Sequence, residues 1–97
     1  MRLLSKDEIK KGKFMPTSVK RAERLIVNKE YETRRHVAFQ VTDPKSGSEH
    51  VVYYKREKEP PLDWVCDCEW YTTQTIHNGK YCAHILAVHL AELDRPD

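Results

Sequence analysis

Residues 83–94 carry the clearest hydrophobic rhythm in the chain. Leu86, Leu90 and Leu93 recur at helical spacing with Ile85 and Val88 beside them, which predicts a helix stopped by Arg95-Pro96. Residues 31–43 have a different period. Val37, Phe39 and Val41 alternate with His36, Ala38, Gln40 and Thr42, the pattern of a half-buried strand. Asp43-Pro44-Lys45-Ser46-Gly47-Ser48 is turn chemistry, and Val51–Lys55 returns as the partner of a hairpin. Lys58-Glu59-Pro60-Pro61 breaks the run, and Asp63–Cys68 is a third, short extended segment. Upstream, Val19, Ala22, Leu25 and Ile26 form a stripe behind a Thr17 or Ser18 cap. This predicts a helix closed by Val27-Asn28-Lys29, although Leu25-Ile26-Val27 can equally open a strand. Ser5-Lys6-Asp7-Glu8 resembles a capping box opening a short helix that Gly12 and Pro16 end. Trp70–Lys80 is a polar loop with a turn signal at Asn78-Gly79.

These elements predict an α+β fold. A small antiparallel sheet of three or so strands is joined to a C-terminal helix and one or two N-terminal helices. Residues 1–16 are expected to be a lead-in and residues 17–97 a single domain. At 97 residues the chain is long enough for one core with a thin stability margin. No apolar run spans a bilayer, and the charged start Arg2 to Glu8 lacks the apolar stretch of a secretory signal, so the expected location is the cytoplasm.

Charge changes the picture by its distribution. The net charge is +2, yet residues 1–36 carry eleven Lys and Arg against five acids, whereas residues 62–97 carry two against six. A basic front is suited to phosphate, or is simply a solvated face.

The candidate chemistry lies at the other end. All three cysteines and a histidine form Cys66-Asp67-Cys68, thirteen residues, then Cys82-Ala83-His84. Three thiolates and one imidazole in two close pairs match tetrahedral Zn²⁺, and a complete set of four leaves no position for a catalytic water. Cys66 and Cys68 leave the same side of an extended run. Residues two apart cannot share a helical face, so Cys82 is expected just before the C-terminal helix and His84 in its first turn. The rival readings are buried free cysteines and a redox Cys-x-Cys pair that leaves Cys82 and His84 unexplained. His77 could replace one ligand, His89 is expected to edge the core, and His36 and His50 to lie on strand surfaces.

Cys66-Asp67-Cys68 and Cys82-Ala83-His84-Ile85-Leu86-Ala87-Val88 together resemble the SWIM zinc-finger pattern, CxC…CxH followed by an apolar helix. The layout of a helix, a hairpin and a Cys-x-Cys strand over residues 18–93 is similar to the family as well. The resemblance implies a zinc-stapled ββα unit with Cys66, Cys68, Cys82 and His84 as ligands, acting as a DNA-binding or protein-interaction module. Glu69 stands where many members have Pro, and Ala83 where many have Lys or Arg. With Asp67 and Glu69 beside the ligands, the finger itself is acidic. The candidates for DNA contact are therefore Lys20, Arg21, Arg24, Arg34 and Arg35.

Two functions of different class follow. One is a zinc module that binds nucleic acid. The other is an adaptor for a protein partner, with Tyr53, Tyr54, Trp64, Trp70 and Tyr71 as candidate anchors. No enzymatic role and no small-molecule substrate are expected, since the sequence has no nucleotide-binding loop and no acid pair grouped by motif.

Overall fold

A computed structural model describes residues 3–11, 14, 16–60, 62–75 and 81–94. The elements in chain order are α1 (Lys6–Lys11), α2 (Pro16–Arg24), β1 (Ile26–Glu32), β2 (His36–Thr42), β3 (Glu49–Lys55), β4 (Trp64–Cys66), a single π-type turn (Tyr71–Thr75) and α3 (Ala83–Leu93). The fold is α+β. The sheet has four antiparallel strands in the order β1-β2-β3-β4, each beside its neighbour in sequence. The expectations at Gly12, His77, Asn78-Gly79 and Arg95-Pro96 lie outside the described residues.

The capping box forms as its sequence predicts. Ser5 Oγ accepts from the Glu8 N–H, and Glu8 Oε1 accepts from the Ser5 N–H, both at 3.1 Å. Pro16 opens α2 rather than only ending α1. Its fixed φ and missing N–H suit the first helical position. Helix α2 ends at Arg24, short of the predicted close at Val27-Asn28-Lys29. The apolar run Leu25-Ile26-Val27 passes directly into β1, the strand alternative for that segment.

The fourth strand arises from a hairpin that carries no glycine, asparagine or proline. Residues 31–43 are not one strand. Thr33–Arg35 turn the chain between β1 and β2. The Thr33 hydroxyl accepts from the His36 N–H (3.1 Å) and the Arg35 N–H (3.3 Å), while the Thr33 N–H donates to the His36 carbonyl (2.8 Å). A side-chain hydroxyl here replaces the usual turn residues. A bulge at Glu30, between Lys29 and Tyr31, and the charged side chains of β1 blunt this edge of the sheet.

The β2–β3 turn uses the expected chemistry. Asp43 Oδ1 accepts from the Lys45 N–H (2.9 Å), the Gly47 N–H donates to the Asp43 carbonyl (2.7 Å), and Gly47 adopts φ +78°. A Cβ at Gly47 would meet nothing within 4 Å, so backbone conformation alone requires the glycine. Gly47→Ala is expected to destabilise the domain by about 1 kcal/mol, read as a shift in the denaturant midpoint at unchanged slope.

One face of the sheet is the core. Val37, Phe39 and Val41 of β2, Val52 and Tyr54 of β3, and Trp64 and Cys66 of β4 are all buried there. Helix α3 lies across all four strands, and α2 packs on α3. Every residue of α3 from Ala83 to His89 is consequently buried, a wider apolar surface than the predicted leucine stripe. His89 does not edge the core. It is 1% exposed, with its ring 4.4 Å from that of Trp64 and 5.4 Å from that of Tyr81. Its Nδ1 accepts from the Leu4 N–H at 3.1 Å, and Ile9 of α1 is fully buried, so residues before 16 contribute directly to the core. Tyr54, Trp64 and Tyr71 are core residues as well, which leaves Tyr53 and Trp70 as the half-buried members of the aromatic set.

Candidate metal centre

The four candidate ligands come from three local structures. Cys66 is the last residue of β4. It pairs with Val52 and so faces the core side of the sheet. Cys68 lies two residues on, where the strand has ended and the chain curls toward the π-type turn. The Tyr71 N–H donates to Cys68 Sγ at 3.4 Å. Cys82 is the N-cap of α3, with extended backbone (φ −74°, ψ 169°), and its carbonyl accepts from the Leu86 N–H at 3.0 Å. His84 is the second residue of the helix. The change from extended to helical backbone at residue 82 lets two side chains of spacing two converge, which neither a regular helix nor the loop alone would do.

The four donor atoms all lie within 4.8 Å of one another, and all four residues are buried. Cys82 Sγ is 3.9 Å from His84 Nδ1, so this nitrogen faces the cluster. The cysteines form no disulfide. Three sulfurs and one imidazole nitrogen, buried and convergent, can hold a metal ion of soft or borderline character. The crowding is felt in the thiols themselves. The Cys66 pKa is driven far above the ordinary thiol value, first by its hydrogen bond to Cys68, and the Cys68 pKa falls well below, first by accepting from Cys66. A bound dication would replace this uneven sharing with three thiolates.

Two further residues belong to the surroundings of the centre. His50 of β3 is half-buried rather than a surface residue. Its ring lies 4.2 Å from that of His84, and its Nδ1 is 2.9 Å from Asp67 Oδ1. Asp67, between the two cysteines, also approaches Cys66 Sγ at 4.0 Å. Strand register explains His50. It is two residues from Val52, which pairs with Cys66, so alternation puts His50 and Cys66 on one face. Alternation in the sequence carries this signal only once the strand pairing is fixed.

The five candidate cations do not form one patch. Lys20, Arg21 and Arg24 are exposed on α2, with Arg21 Nη2 3.7 Å from Asp43 Oδ2. Arg21 also lines a cleft of about 490 Å³ beside the centre, with Thr17, Ser18, His50, Glu69 and Trp70. Arg34 and Arg35 sit in the β1–β2 turn, at the far end of β1 and so roughly 20 Å from Arg24. Among the described residues no helix is long and apolar enough to cross a membrane. Comparison with protein families, with curated proteins and with solved structures finds no match to this chain.

Proposed function

We propose that this chain is a SWIM-type zinc module that binds DNA, with Zn²⁺ as a structural rather than catalytic ion. The observation that carries the metal part of this reading is the closed set of Cys66, Cys68, Cys82 and His84 between a strand end and a helix start. Tetrahedral Zn²⁺ with metal–sulfur bonds of ~2.3 Å and a metal–nitrogen bond of ~2.0 Å places its donors roughly 3.6–3.8 Å apart. The Cys82–His84 separation of 3.9 Å already matches, and donors no more than 4.8 Å apart need to close by only about 1 Å. With all four positions taken by protein, no site remains for a metal-bound water, which argues for a staple and against hydrolysis.

DNA binding is supported by the charge distribution. The basic front supplies Lys20, Arg21, Arg24, Arg34 and Arg35, and all five are exposed. If all five meet phosphates of a duplex, log K is expected to fall with log salt at a slope of about −4.5. A titration of labelled duplex DNA across ionic strength measures it. Binding that is absent at low ionic strength would overturn the reading, and a slope near zero would remove phosphate contact as its basis. The second reading, an adaptor for a protein partner, draws on half-buried Trp70 at the rim of the cleft beside the centre. Stoichiometric recovery of one protein partner together with no nucleic acid would favour it.

A further inference from the structure

The sheet face turned away from α3 has no described helix packed on it. The strand register places Tyr31, Ala38, Tyr53 and Val65 in one row across all four strands, since Tyr31 pairs with Ala38, Ala38 with Tyr53, and Tyr53 with Val65. Ala38 itself is fully buried in this row. A hollow of about 430 Å³ opens beside it, lined by Tyr31, His36, Tyr53, Lys55 and Val65. His36 stands edge-on to both tyrosines, at ring separations of 5.5 and 6.0 Å, and the Tyr31 hydroxyl meets His36 Nε2 at 3.1 Å. Tyr31 is 43% exposed, a large aromatic surface left to solvent.

The next row along the sheet is cationic. His36 pairs with Lys55, two residues from the tyrosine row, a step of about 7 Å. Beyond it lies a second hollow lined by Arg35, His36, Lys55, Glu57 and Lys58. Among the described residues no ion pair engages Arg34, Arg35, Lys55 or Lys58, whereas the Glu32 carboxylate is already held by Lys29 and Arg56, each at 2.5 Å. An aromatic row therefore runs beside a predominantly positive group, Arg35, Lys55 and Lys58 against Glu57.

We infer that this open sheet face binds single-stranded DNA, with bases stacking at Tyr31 and Tyr53 and phosphates meeting Arg35, Lys55 and Lys58. The inference rests on the nucleic-acid reading above and moves its centre from α2 to the sheet. A single strand offers unpaired π-faces to aromatic side chains, and a duplex keeps those faces stacked within itself. The adjacent cations supply the backbone contacts that stacking alone lacks. An acidic peptide would use the cations and leave the tyrosine row idle.

The test is fluorescence anisotropy of the full chain with a labelled oligothymidylate of about 12 nucleotides, and with a duplex of the same length, at low salt. The single strand is expected to bind at least tenfold more tightly than the duplex. Tyr31→Ala and Lys55→Glu are each expected to weaken it by on the order of tenfold, more than the α2 variant Lys20→Glu/Arg24→Glu does, and Lys45→Glu in the β2–β3 turn to leave it within twofold. Both Tyr31 and Lys55 are exposed, and thermal unfolding checks that each variant folds as the native chain does. If Tyr31→Ala fails that check, Arg35→Glu with Lys55→Glu decides the matter alone. Native-like binding by the sheet variants, with loss only in the α2 variant, overturns this inference and leaves the DNA reading standing. Tighter binding of the duplex also overturns it. No binding of either probe by the native chain ends both. Dimerisation in sedimentation that Tyr31→Ala abolishes would instead assign the face to a second copy.

Discussion

Replacing Cys68 by serine, or His84 by alanine, is expected to abolish metal retention and cooperative unfolding together. A structural zinc site contributes ~10–16 kcal/mol apparent at neutral pH. The whole stability of a domain is roughly 5–15 kcal/mol. Loss of the ion therefore exceeds what a 97-residue core can supply in compensation. The local structure explains why nothing else substitutes for it. Strand β4 has only three residues, and the N-cap residue Cys82 makes no side-chain capping hydrogen bond. The end of β4 and the start of α3 meet through the four ligands. Without an ion, three crowded thiols and a buried imidazole remain at the centre of the packing. Elemental analysis of protein purified without added zinc, combined with scanning calorimetry, checks the prediction. Native protein should carry one equivalent of metal and unfold in one transition. Each variant should carry none and show no transition. A metal-free Cys68→Ser protein with a native-like transition would show that the cluster is not a staple.

The second large effect is a loss of stability on acidification through His89. Burial pushes the His89 pKa from the ordinary 6.5 down to about 4. Its Nδ1 accepts from the Leu4 N–H, so the neutral ring carries its proton on Nε2. Protonating Nδ1 would charge a ring enclosed by Trp64 and Tyr81 and would break the bond to the N-terminal segment. Between pH 4 and 6.5 the unfolded chain holds this proton and the folded chain does not. Stability from His89 is therefore complete above pH 6.5 and is lost as pH falls toward 4. The size is about 3 kcal/mol, from a shift of that extent at ~1.4 kcal/mol per pH unit. Metal ligands also protonate in acid, so the informative quantity is a difference. Denaturant midpoints of native protein and His89→Leu, measured from pH 4 to 7, should diverge in slope, with the native protein falling more steeply. Parallel pH profiles would count against a buried neutral imidazole.

Much of the site is legible in the order of residues alone. Four ligand-type residues at spacings of two, fourteen and two suffice to propose a tetrahedral centre, because ligand chemistry is a property of residue type and close spacing limits geometry. The placement of Cys82 ahead of a helix and His84 inside it follows from the helical period alone, and the fold has it so. The β2–β3 hairpin is legible through Asp43 and Gly47, whose turn chemistry is local. The β1–β2 hairpin is not, since Thr33-Arg34-Arg35 carries no turn residue of the common kind and is closed by the Thr33 hydroxyl together with the Thr33–His36 backbone bond. The end of α2 is not legible either, because a β-branched run fits helix or strand until a neighbouring strand is there to pair with it.

The candidate ligand set, the α+β class, the strongest helix and the basic-to-acidic gradient can all be read from residue order. Each depends on residue type, on spacing of a few positions or on a local period. Which faces meet is settled instead by how the elements pack. Strand pairing put His50 against His84, three of the candidate aromatics went into the core, and the cations of α2 lie a strand's length from those of the β1–β2 turn. The same packing also set His89 under Leu4 and aligned Tyr31 with Tyr53 across the uncovered sheet face. The physical reason is range. A period of two or 3.6 residues is written along the chain, whereas register and layer packing are chosen by the free energy of burying whole faces together, which no short window of residues contains.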